Sequence, residues 1–187
     1  MEKKYKVYFS LMILAFIQIM VYISMASKGK YLHEFLFGSV PFLAVVAPLL
    51  GLLVGVLDVR LSTYIVARLD PARLELDAER ITSLQDPYTG RGIYGIFMNS
   101  AYVLGEEAIR GVVLTVLKKA VSVEVLIAAG TFLFIFSRSL PMYLRVVKMV
   151  DDFVLTLLFL WGGLLSAWLA HTFMNAYILW PIVKYAK

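Results

Sequence analysis

The chain has 187 residues, 61% of them hydrophobic and 17% charged, with a mean hydropathy of +0.81, and a water-soluble fold of this size has no core large enough to hide that much apolar surface. It has no cysteine, which excludes disulfides, thiolate metal sites and thiol nucleophiles. The formal charge of +5 comes from Lys and Arg at the ends of apolar segments, without a basic stripe interleaved with exposed aromatics, so it reads as membrane topology and no nucleic-acid partner is expected.

In chain order the first element is an apolar run at 7–26 behind Lys3, Lys4 and Lys6. Ser24-Met25-Ala26 mimics a signal cleavage site, but a run of about 20 residues exceeds the roughly 7–15 of a signal h-region and matches a bilayer span, so a retained first helix is expected. A second span covers 37–57, where Gly51-x-x-x-Gly55 allows close helix packing. His33 precedes it in a short, solvated outer loop. Asp70-Pro71 then has the pattern of an N-cap with proline at the first helical position, opening a short surface helix to about Leu84 with Leu74, Ile81 and Leu84 on one face.

Asp86-Pro87-Tyr88-Thr89-Gly90 turns the chain into a third span, Ile93–Leu117, and a fourth follows at 121–136. The stretch from Met142 to Val183 is about 63 Å long as a helix, twice a bilayer core, so it must fold back. Gly162-Gly163 marks the turn, giving a fifth span at 150–161, extended back to about Met142, and a sixth at 164–183.

With the N-terminus inside, Lys3, Lys4, Lys6, Arg60, Arg68, Arg73, Arg80, Arg91, Arg138, Arg145, Lys148, Lys184 and Lys187 are cytoplasmic and only Lys28, Lys30, Lys118 and Lys119 lie outside. The positive-inside rule therefore favours N-in and C-in. The sequence defines an all-α, polytopic helical protein of about six transmembrane helices in the cytoplasmic membrane. It reads as one integral domain, 1–187, with 67–91 a cytoplasmic loop and 93–183 the core that carries the polar motifs.

Two polar clusters stand inside these spans. Glu106, Glu107 and Arg110 are helical neighbours, so Arg110 can pair with either carboxylate or be shared between them, leaving one net negative charge that needs a proton or a partner on another helix. A carboxylate so placed is suited to act as a general base. His171 and Asn175 share a face one turn apart, and counting from the cytoplasmic ends puts Glu106 and His171 at a similar depth, roughly 18–20 Å, so the clusters can form one site. Charges at membrane depth are costly enough that two such clusters imply function. The alternative is an ion-pair cluster that fixes helix packing. Two glutamates and one histidine are too thin a ligand set for zinc. Gly90-x-Gly92-x-x-Gly95 matches a dinucleotide pattern only by its letters, with no strand before it, so neither metal nor cofactor is expected.

Gly105-Glu106-Glu107-Ala108-Ile109-Arg110-Gly111, followed by His171-Thr172-Phe173-Met174-Asn175, resembles the CAAX-processing and bacteriocin-processing (CPBP) intramembrane protease family. The resemblance covers about half the chain, from Ile93 to Trp180. The family's first motif is two glutamates, three residues and an arginine; here two residues intervene, so either Glu106 or Glu107 aligns with the family's catalytic glutamate. Its second motif, Phe-x-x-x-His, falls on Phe134-Ile135-Phe136-Ser137-Arg138, which puts Arg138 in the place of a histidine. A guanidinium there could stabilise an anion but could not serve as a base. Its last motif, His-x-x-x-Asn, is present.

The resemblance implies a metal-independent glutamic-type endopeptidase. Glu106 or Glu107 would activate water, Arg110 would be the counter-ion that orients that glutamate, and His171 with Asn175 would hold the oxyanion. The substrate would be a membrane-associated or lipid-modified peptide or protein met among membrane lipids. Arg138 and the shortened motif also fit an inactive relative that serves as a scaffold or binds another membrane protein. A six-helix chain of this length also resembles the substrate-binding subunit of a small-molecule importer.

Overall fold

The computed structural model describes residues 30–72, 93–135 and 141–185. The expected first span at 7–26, the surface helix beyond residue 72 and Arg138 lie outside the described residues. Five helices, and no strand, are found among those described: α1 (Lys30–Phe37), α2 (Leu43–Leu69), α3 (Ile93–Leu117), α4 (Val123–Phe132) and α5 (Met142–Tyr185).

α1 ends at Gly38, whose φ of 63° is the left-handed conformation that closes helices and whose N–H donates to Glu34 O at 2.8 Å. His33 therefore lies on a helix rather than in a loop, exposed, with its ring centroid 5.2 Å from that of Phe37. α2 begins six residues later than the apolar run and continues past its expected end at Leu57 to Leu69. The helix survives its first charged residue because Asp58 is neutralised: Lys148 of α5 donates to Asp58 and, at 2.9 Å, to Asp151, while Ser62 donates to Asp58 at 3.0 Å. Lys148, counted above among the cytoplasmic cations, is thus a bridge between two buried carboxylates. Asp70 closes α2, its N–H bonding Val66 O at 2.9 Å and its carboxylate accepting from Tyr143 Oη at 3.1 Å.

α4 corrects the expected fourth span. Its ten residues rise about 15 Å, half a bilayer core. The chain turns after Phe132, with Ile135 N donating to Phe132 O, and this brings the Phe134 ring within 5.2 Å of the Arg110 guanidinium carbon.

The 44 residues of α5 contain one break, at Gly163, with φ 70° and ψ −173°. Arg110 bonds Asp152 on one side of the break and Glu107 bonds His171 on the other. Asp152 and His171 would be about 28 Å apart on a straight helix, so two side chains one turn apart on α3 could not reach both unless α5 doubled back. The expected hairpin is present: 142–162 and 164–185 run antiparallel, each about 32 Å long. α2 lies along the second arm, with Leu43 near Gly162, Gly51 against Ala170 and Gly55 against Met174. A Cβ at Gly51 would overlap the Ala170 carbonyl, so the two backbones touch as the small-residue pair anticipated. The core between these helices is built on Ala47, Leu114, Leu155, Leu158, Leu164 and Ala167.

The hairpin turn leans on a second left-handed glycine. A Cβ on Gly163 would stand 2.5 Å from Gly38 N and 2.6 Å from Leu36 O. Gly163→Ala is expected to cost about 1–3 kcal/mol for the backbone conformation alone, and more for the overlap with α1. The check is the thermal midpoint in detergent, where an unchanged value would contradict the contact.

Among the described residues, two helices are long and apolar enough to cross a membrane: α2, and Met142–Ile178 within α5.

Candidate functional site

From Asn99 to Leu117 α3 has an inward and an outward face, and the inward face carries the polar residues. Glu107 and Arg110 are fully buried; Val103, Ala108 and Leu114 pack around them, while Ile109 and Val116 face outward. Of the pairings open to Arg110, the structure shows Glu107: Nε donates to Oε2 at 3.0 Å and Nη2 to Oε1 at 3.4 Å. The other donors reach two further helical elements. Nη2 binds Asp152 Oδ1 at 2.8 Å, and Nη1 binds Gly130 O at 2.6 Å and Thr156 Oγ1 at 3.2 Å. Guanidinium has five N–H groups, and these partners occupy all of them. Arg110 therefore ties α3, α4 and the first arm of α5 together, and Thr156 completes the knot by donating to Asp152 O at 2.7 Å.

Glu107 Oε1 also lies 2.8 Å from His171 Nδ1. A carboxylate only accepts, so the imidazole donates through Nδ1–H and its Nε2 is turned to the opposite side. Glu106 stands there: its Oε2 is 3.9 Å from Nε2, too far for a direct hydrogen bond but within the span one bridging water can cover. Glu107 is sealed, whereas 18% of the Glu106 side chain is exposed, so Glu106 is the carboxylate on the accessible side of the site. The arrangement reads inward as Glu106, His171, Glu107, Arg110 and Asp152.

Asn175 sits one turn from His171, half buried, and donates through Nδ2 to Asn99 Oδ1 at 3.4 Å. Below it Ser100 Oγ and Thr172 Oγ1 are 3.3 Å apart, and Trp168 Nε1 donates to Ser100 O at 2.9 Å. These bonds make a polar seam between α3 and the second arm of α5 that fixes their register. Trp168→Phe removes one neutral hydrogen bond and is expected to lower stability by about 1 kcal/mol, measured by chemical denaturation in detergent.

Sequence reasoning missed Asp152 and Asn99. Asn99 lies seven residues before Glu106, two turns along the same face, a signal present in the sequence. Asp152 had no such signal. Among the described residues no three His, Asp or Glu side chains stand in an arrangement that could hold a metal ion. Comparison with family models, with characterised proteins and with solved structures returns no match.

Proposed function

We propose that the chain is a polytopic helical intramembrane hydrolase of the CPBP type, which cleaves membrane-associated or lipid-modified peptides. The observation that carries this reading is the buried imidazole held between two glutamates, one sealed and ion-paired, the other partly exposed. In this reading Glu107, anchored by Arg110, orients His171. A water between His171 Nε2 and Glu106 Oε2 loses its proton to that pair as its oxygen attacks the scissile carbonyl. Asn175 offers an amide donor one turn away for the developing oxyanion. Membrane embedding is supported by the apolar, outward-facing stripe Val45, Leu49, Leu53 and Leu57 on α2, which in water would be an exposed patch of the kind soluble monomers avoid.

The test is hydrolysis by the protein reconstituted in vesicles, with fluorogenic peptides carrying or lacking a C-terminal isoprenyl-cysteine. Cleavage of the lipidated peptide, undiminished by chelator, is the expected result. A folded preparation that cleaves neither peptide would overturn the reading.

A second reading is a non-catalytic scaffold, favoured by the Arg110 knot, which uses every donor of the guanidinium to hold helices together. It expects no cleavage, and loss of assembly when the knot is cut.

A further inference from the structure

The geometry points to a second binding site, independent of the hydrolase reading: the cavity at the hairpin-turn end of the bundle holds a phospholipid with an amine-bearing headgroup. The cavity encloses about 520 Å³, within the roughly 300–1,000 Å³ of ligand clefts. Its floor is apolar, formed by Phe35, Leu114, Phe159 and Leu160, with the Phe35 and Phe159 rings edge to face at 5.6 Å. Its rim is charged. Lys118 and Lys119 follow directly on Leu117, the last residue of α3, and Glu34 of α1 also lines the opening; all three are exposed.

Apolar floor and charged rim meet where an apolar helix ends, which is where a lipid changes from acyl chain to headgroup. The two lysines suit a phosphate. Glu34 distinguishes among headgroups: a primary ammonium gives it an N–H donor and a positive charge, a glycerol headgroup brings no charge, and a quaternary ammonium has no N–H to give. A headgroup carrying phosphate and primary ammonium therefore meets both signs of the rim, while its chain covers Phe35, Leu114 and Phe159. Leu114 lies two turns beyond Glu107, about 10 Å along α3, so the cavity is on a different level from the Glu–His site.

The experiment is native mass spectrometry of the protein released from nanodiscs of equal parts phosphatidylethanolamine, phosphatidylglycerol and phosphatidylcholine, with melting midpoints measured against each lipid alone. Phosphatidylethanolamine should be retained about tenfold over phosphatidylcholine and should raise the midpoint. Lys118→Glu with Lys119→Glu should abolish retention, and Glu34→Gln should move the preference to phosphatidylglycerol. These three side chains are exposed, so the lipid-free variants should keep the wild-type melting midpoint within a few degrees. Equal retention of the three lipids, or retention unchanged by both variants, would overturn the proposal. So would competition by glycerophosphoethanolamine as effective as that by the intact lipid, since the floor would then contribute nothing.

Discussion

His171→Gln is expected to lower cleavage of a lipidated peptide by about 10²–10⁴-fold, the usual contribution of a positioned acid–base group. Glutamine keeps an N–H donor for Glu107 and removes the basic Nε2, so it separates proton transfer from packing in a way alanine cannot. Glu106→Gln is expected to fall by a comparable factor, because its carboxylate flanks Nε2 at 3.9 Å without joining the Arg110 knot. Both variants should keep the wild-type melting midpoint within a few degrees. Full activity in Glu106→Gln would remove Glu106 from the mechanism, and full activity in both variants would remove the Glu–His site from it.

The largest effect on stability is expected at Arg110. Arg110→Met leaves Glu107 and Asp152 as buried carboxylates without their shared cation, and cutting a buried pair on one side costs about 3–5 kcal/mol. Neutralising the whole group removes that penalty. The triple variant Glu107→Gln, Arg110→Met, Asp152→Asn should recover most of the loss, with about 1 kcal/mol remaining because Gly130 O has lost its donor. Equilibrium unfolding in mixed micelles measures both. If the triple variant is as unstable as Arg110→Met, the loss is one of volume rather than charge.

How much of this was legible in sequence follows from the range of each interaction. The hairpin in α5 could be read because it rests on length and two adjacent glycines. The approach of Glu106 and Glu107 to His171 could be reached by counting depth along helices, since α-helical rise is fixed. The choice of Glu107 over Glu106 as the partner of Arg110 could not, because both spacings suit an ion pair and only the packing of α4 and α5 decides between them. The true end of α2 was hidden for a related reason. Asp58 looks like the close of an apolar run until Lys148, ninety residues later, is placed beside it. Asp152 was invisible because a carboxylate near the end of an apolar segment looks solvated, and its contact with Arg110 depends on the register of two helices. The fourth span failed because hydropathy records how apolar 121–136 is, not where the backbone turns.

The hairpin also constrains how the protein can be made. Its first arm carries Arg145, Lys148, Asp151 and Asp152, and a charge at the centre of a lone inserting helix, where Asp151 and Asp152 fall, costs about 2.5–3.5 kcal/mol on translocon scales. The second arm, 164–185, holds no acidic residue and follows after a turn of two glycines, with no loop long enough to wait in water. In a membrane the apolar arm can therefore carry the charged one in with it. If both arms span the bilayer, as the proposed function has it, insertion of 142–185 is a single event, and a nascent chain that stops before Gly163 should remain outside the bilayer core.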